Sequence, residues 1–358
     1  MLPSLPLYHK MLSQLSNWMP KERITRLRNM ALLVIGLRLS QAIYLSKIVS
    51  SWPVDSKLPS LVTRLNRFLN NEHVTVEEWY RPLARELMSR FKGHAIRLVI
   101  DCTKVGFRYR LMTIGVAYKK RTIPLVWSVH RGSKGHVKVS EQIKLFRAVL
   151  PLIPSGSAVC VLGDAGFEAV ELLRWIRCQG WSLVIRQNGR TKVRWGKRPW
   201  QKLSQIELQE GETKVIGWVR LTEKHNVGWF FLVLHWEQGE DDPWYLVSNH
   251  TQAKQIIRLY KTRMWIEEMY GDMKGHGFDL EATQLDSAER INRLFLAVCF
   301  AFVWLISLGS WVVKNGHRHL LDCKSRRDKS YFRLGWDWVD HCKRLGKDIP
   351  IRFVPYYL

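Results

Sequence analysis

A chain of 358 residues, 46% of them hydrophobic, can bury a substantial core in two or three domains, which excludes a disordered protein. Its 56 Lys plus Arg against 31 Asp plus Glu give a formal charge of +25, far from the balance of a typical soluble enzyme and better suited to a long polyanion than to one small substrate. Six cysteines without CxxC pairing exclude a zinc ribbon or a disulfide framework and fit a reducing cytosol.

Residues 1–93 predict several short helices, with apolar residues at three and four spacing in LSQLSNWM, in the run from Ile24 to Val49 and in LVTRLNRFLNN, broken at Pro53 and Pro59. They hold 14 basic and 6 acidic side chains, so this unit reads as a DNA-docking module; the plainer alternative is a helical cap whose charges only solvate it. From residue 94 the pattern becomes strand (96–101), strand (110–120), strand (122–130), amphipathic helix (139–153), strand (158–164), helix (168–180) and strand (181–187). That order predicts a mixed-sheet α/β domain over 94–187. Helical periodicity then vanishes over 188–250, where TKVIGWVRL, GWFFLVLHW and PWYLVSN predict a β-rich insertion. Residues 251–315 resume the α/β domain with a polar helix and an apolar one, and 316–358 read as a basic tail.

The twenty uncharged residues Leu294 to Val313 are long enough to span a bilayer. Because they follow a polar helix, they are read here as a core helix of the α/β domain, with no membrane partner. The N-terminus shows no signal peptide, its first apolar run beginning near Met30 and broken by Arg38, so the cytoplasm is the expected location.

Two apolar strands end in Asp101 and Asp164. In YKTRMWIEEMYGDMK, Tyr260, Arg263, Glu267 and Lys274 stand at offsets of 3, 7 and 14, which stack on one stripe at helical pitch. By itself Arg263 with Glu267 is an ordinary i,i+4 pair on a solvated face. Strand ends beside a helix can, however, gather three carboxylates for divalent cations, with the cations and phenol of the stripe left to bind phosphates. Glu268 points about 100° off the stripe, which favours Glu267.

These residues carry a resemblance. The Y-x2-R-x3-E-x6-K spacing of Tyr260, Arg263, Glu267 and Lys274, with VIDCTKV around Asp101, VLGDAGF around Asp164, PWYLVSN around Trp244 and RLNRFLNN near residue 64, resembles the DDE transposases of bacterial insertion sequences. Within that family it is most similar to the tetracycline-resistance composite-transposon branch. The resemblance implies a ribonuclease-H-like catalytic domain in which Asp101, Asp164 and Glu267 hold two Mg2+ ions, with Mn2+ able to take their place. It further implies that Tyr260, Arg263 and Lys274 contact DNA phosphates and that Trp244 stacks on a flipped base, the plainer reading of Trp244 being a sheet-packing residue. The reaction implied is nicking, hairpin formation, hairpin opening and strand transfer, on transposon-end DNA and target DNA, by a homodimer in a synaptic complex. Phe167 follows Gly166 at once, a spacing that leaves Asp164 as the ligand and assigns Phe167 no role.

The basic run Arg190, Lys192, Arg194, Lys197 and Arg198, interleaved with Trp195 and Trp200 and free of acidic residues from 186 to 202, reads as a further DNA contact. His94, His130, His136, His317 and His319 lack metal-ligand spacing and read as surface or DNA-facing residues. A DNA-binding relative without catalysis is the alternative function. The presence of all three carboxylates and the whole signature argues against it.

Overall fold

The computed structural model describes residues 4–132, 137–224 and 228–356. Five helices open the chain: α1 (Ser4–Trp18), α2 (Ile24–Ser40), α3 (Leu45–Ser50), α4 (Leu58–Leu69) and α5 (Val76–Ser89). The run from Ile24 to Val49, whose periodicity suggests continuous helix, is cut at Gln41, which ends α2 in the left-handed conformation at φ 52. Pro59 lies in the first turn of α4, where its missing N–H is not needed. That helix buries Leu61, Leu65, Phe68 and Leu69 and leaves its arginines on the other face.

The sheet begins with β1 (Ile96–Val105), β2 (Tyr109–Tyr118) and β3 (Arg121–Arg131), an antiparallel meander. After α6 (Val139–Val149) comes β4 (Val159–Gly163), parallel to β1; after α7 (Val170–Cys178) comes β5 (Ser182–Gln187), parallel to β4. The strands β6 (Lys192–Arg194), β7 (Gln201–Lys202), β8 (Thr213–Leu221), β9 (Trp229–His235) and β10 (Trp244–Ser248) extend the same sheet, giving the order β3-β2-β1-β4-β5-β10-β9-β8-β6-β7. Left bare, β5 would present a row of unpaired backbone groups. The return of β10 alongside it satisfies them and ties residues 188–250 to the first five strands. Three antiparallel strands followed by two parallel ones, with helices between, make this an α/β fold of the ribonuclease-H-like kind.

Three long helices complete the chain: α8 (Ala253–Met273), α9 (Ala288–Lys314) and α10 (Tyr331–Arg344). α9 is long and apolar enough to cross a membrane, but 89% of its most apolar window is buried inside the protein, where it packs on α2, α10 and β3. The region 316–358 is more than a basic tail: Phe332, Trp336, Val339 and Cys342 recur at helical spacing on α10 and are buried against α9. Arg38 of α2, fully buried, donates to the Trp336 carbonyl at 2.5 Å, pairs with Asp340 at 2.8 Å and lies over the Trp336 ring at 4.3 Å. N-terminal and C-terminal helices are thereby locked to one another around α9.

Candidate active site

Strand register builds the floor of the site. In the parallel pair β1 and β4, Leu98 lies beside Val161 and Val99 beside Leu162, where the pairing ends; continued by two residues, that register would bring Asp101 level with Asp164, which lies just past the end of β4. Neighbours in register on parallel strands point to the same face about 4.8 Å apart. Across β4 and β5, Gly163 lies beside Ile185, the last pair of that ladder, so that Asp164 and Arg186 are the residues that follow it on the two chains. A row of carboxylate, carboxylate and guanidinium thus crosses three strands, with Asp164 just past the end of β4 and Arg186 next to last in β5; Asp101, expected to close its strand, instead lies in mid-strand, because β1 runs on to Val105 in its pairing with β2. Asp164 is extended (φ −83, ψ −172), and its Oδ1 accepts from the Gly166 N–H at 2.9 Å, which holds the chain where it leaves the sheet. Phe167 is buried below it.

α8 forms the roof, packed across β3, β1 and β4. The Tyr270 hydroxyl donates to the Asp101 carbonyl oxygen at 3.1 Å, and Arg121 of β3 pairs with Asp272 at 2.5 Å and with Glu268 at 3.0 Å. These contacts fix the rotation of the helix. Glu268 consequently faces Arg121, while Arg263 and Glu267 face the row of aspartates.

Arg263, only 8% exposed, sets Nη1 3.6 Å from Asp101 Oδ2 and hydrogen-bonds Glu267 Oε1 through Nη2. Burial pushes the Asp101 carboxyl up to about 7; Arg263 pulls against that rise, and the fields of Asp164 and Glu267 add to it. Asp164 and Glu267 therefore each lie within electrostatic reach of Asp101. Buried Tyr260 meets Trp244 edge to face at 4.9 Å, and burial also raises its hydroxyl against the pull of Arg263 and Arg186.

The donors are of the type a hard divalent cation takes: carboxylate oxygens, one on β1, one just past the end of β4 and the third on a helix above. In chemistry they fit such an ion. Among the described residues no three His, Cys, Asp or Glu side chains close around a single point, and Glu267 is paired with Arg263.

Other expected residues fall elsewhere. Lys274 is not on the helical stripe: α8 ends at Met273, and Lys274, at φ −96 and ψ −128, turns to Glu281 at 3.1 Å. Gly275 and Gly277 follow at once and break the helix; a side chain on Gly277 would strike the Asp272 carbonyl. Trp244 is 8% exposed, covered by Tyr260 and His235. The basic run lies around β6, six strands from β1 and so roughly 29 Å away at ~4.8 Å per strand. Arg194 there covers Trp200, Arg198 covers Trp195, and Lys192 pairs with Glu223, while Arg190 and Lys197 stand in the flanking turns. His130 bonds Ser128 and His317 stacks on Trp338; His136 lies outside the described residues.

Sequence reasoning missed Arg186, Tyr270, Arg121 and Asp272. Tyr270 had a signal, lying only about 80° from Tyr260 around the helix. Arg186 had none without the strand order. A cleft of about 710 Å3 between α2 and α4 adds a second feature, lined by Arg23, Arg26, Arg64, Arg67 and His73 and by no acidic side chain.

No curated protein matches the chain. Among solved structures it is similar to one described as the cryo-EM structure of a piggyBac transposase synaptic complex with hairpin DNA, at 11% identity and a TM-score of 0.41, covering 100% of this chain and 83% of that one. The family profile described as Transposase DDE domain matches residues 101–304, more than half of the chain, beginning at the first aspartate of the row and running through α8 into α9. The chain belongs to the transposase DDE domain family.

Proposed function

We propose that the protein is the cut-and-paste transposase of a bacterial insertion sequence, and that Asp101, Asp164 and Glu267 are its catalytic carboxylates. The observation that carries this reading is the placement of Asp101 on β1 and Asp164 just past the adjacent parallel β4, with Glu267 joined to Asp101 through Arg263, within a family match that starts at Asp101. Two Mg2+ ions held by these carboxylates would supply the Lewis acidity for phosphodiester chemistry, and Mn2+ has the same preference for oxygen donors.

The chain's own residues position the DNA. Arg186, Arg263 and Tyr260 converge from sheet and helix on the space above Asp164, where they hold phosphate oxygens on either side of the scissile bond. Lys274, at the end of α8, takes a phosphate further along the strand. Trp244 offers a ring to an unstacked base once Tyr260 shifts from its edge. The cleft between α2 and α4 grips the transposon end, and the run from Arg190 to Arg198 contacts the same duplex far from the cut. In that arrangement a freed 3′-hydroxyl attacks the opposite strand to give a hairpin, water reopens it, and the 3′-hydroxyl joins target DNA, with two protomers pairing the ends. A cytoplasmic, nucleoid-bound protein suits such substrates.

The test uses terminal-repeat DNA from the source locus with Mg2+. Nicks and hairpins are expected with the unmutated chain and absent with Asp101→Ala. Binding without any cleavage by the unmutated chain would instead make it a DNA-binding relative.

A further inference from the structure

Arg263 is already engaged by carboxylates of the chain itself. It is buried, it lies between Asp101 and Glu267, and it contributes the positive charge that those carboxylates share. It also carries an unmet demand: among the described residues its Nε, shut off from solvent, has no hydrogen-bond partner, and Nη2 leans on the Met264 sulfur at 3.1 Å. A guanidinium offers a planar fork of donors, and a buried donor without a partner is costly. The oxygens of a phosphodiester fill such a fork from one side, which is the best match for an arginine. Arg263 is therefore well placed to exchange carboxylate partners for phosphate ones.

We infer that Arg263 is a positioning residue that couples DNA capture to assembly of the carboxylate centre: without DNA it serves as counter-ion to Asp101 and Glu267 and holds Glu267 away from Asp164, and a DNA phosphate draws it off. This inference rests on the carboxylate assignment above. A cation already paired with two of three ligands competes with a divalent ion for them. Removing it by phosphate capture frees Glu267 to swing toward the aspartates, so DNA and divalent ion bind cooperatively and cleavage is withheld until DNA is in place. Coupling between two such sites is reciprocal, so the ion strengthens DNA binding by the same factor.

The experiment is Mn2+ binding to the full-length chain, read from the paramagnetic resonance signal of free Mn2+, with and without a short DNA duplex and with a duplex-only blank. Without DNA, Arg263→Gln is expected to bind Mn2+ about tenfold more tightly than the unmutated chain, a typical coupling factor. Adding duplex is expected to tighten binding about tenfold in the unmutated chain and little in the variant. Equal affinities of the two proteins without DNA, or an equal gain on adding DNA, would overturn the inference. Arg263→Met, which keeps the buried aliphatic stem, gives the same comparison if the glutamine variant does not fold. Asp101→Asn separates the two levels: if its Mn2+ affinity equals that of the unmutated chain, the carboxylate assignment itself fails, whereas its loss alongside an unchanged Arg263→Gln rejects only the coupling.

Discussion

Gly309 of α9 and Gly335 of α10 bring the two helix backbones into direct contact: a Cβ on Gly335 would overlap the carbonyl oxygen of Leu305, and one on Gly309 that of Tyr331. Neither overlap can be relieved by a side-chain rotation, since the obstacle is backbone. Gly335→Ala is expected to force the helices apart and to lower stability by about 1–3 kcal/mol, outweighing the ~0.5–1 kcal/mol that alanine gains over glycine within a helix. Gly271 of α8 is the contrasting case, since a Cβ there meets only the His276 ring at 3.3 Å. Gly271→Ala should be neutral or slightly stabilising, and urea denaturation of both variants checks the contrast.

Arg38 leads to a second prediction because its burial is incompletely compensated. Nη2 serves the Trp336 carbonyl and Asp340, but Nε and Nη1 are buried without partners, and burial lowers its pKa despite the pull of Asp340. Asp340 is half exposed and tolerates the loss of its partner. The arginine thus contributes more by filling space over Trp336 than by its charge. Arg38→Ala is expected to cost about 2–4 kcal/mol, and Arg38→Met, which keeps the stem, less than half of that. Equal losses in the two variants, measured by urea denaturation, would show that the charge dominates.

Asp101 gives a pH dependence with a definite sign. Burial raises its folded-state pKa from 3.8 to about 7, so between these values the folded chain binds the extra proton. The stability this contributes is complete below about pH 4 and is lost as pH rises through about 7. Over that window the loss amounts to at most about 4 kcal/mol at ~1.36 kcal/mol per unit. Asp101→Asn removes the titration, so without divalent ions the variant should gain stability relative to the unmutated chain as pH rises from 5 to 8. A difference between the two proteins that stays flat with pH would contradict the assigned environment.

How much of this was legible in the sequence depends on how local each feature is. Asp164 could be placed at a strand end because an apolar run and the residue that closes it are neighbours in sequence, whereas β1 runs on past Asp101 to Val105, its last pairing with β2 carried largely by polar residues that no apolar run marks. Tyr260, Arg263 and Glu267 could be placed on one face because helical pitch is a local rule. Lys274 was misplaced because the stripe was extended to it, one residue past Met273, where the helix ends. The helix in the C-terminal region was obscured by its many charges; its burial follows from Gly335 meeting Gly309, a contact between distant segments. Arg186 and the basic run mark the same limit from opposite sides. Strand order places Arg186 beside Asp164 and sets Arg190 to Arg198 far from it, and the charge of a segment cannot reveal strand order.

The cleft between α2 and α4 makes the last prediction, in which ion pairing decides which arginines count. Arg26 is held by Glu22 at 2.7 Å, and Arg64 is fixed by the Asn29 side chain at 2.7 Å and lies 5.8 Å over the Trp52 ring. Among the described residues Arg23 and Arg67 make no ion pair, so their charge is free for phosphates. Each phosphate neutralised releases counterions and steepens the dependence of log affinity on log salt by about 0.9. Arg23→Ala and Arg67→Ala should each weaken duplex binding at every sequence and make that slope shallower by about 1. Arg26→Ala should change it less, because Glu22 already offsets that charge. Fluorescence anisotropy of a labelled duplex across a salt series measures all three. Slopes unchanged in Arg23→Ala and Arg67→Ala would mean that the cleft does not hold DNA, and that the charge of the N-terminal helices only solvates them.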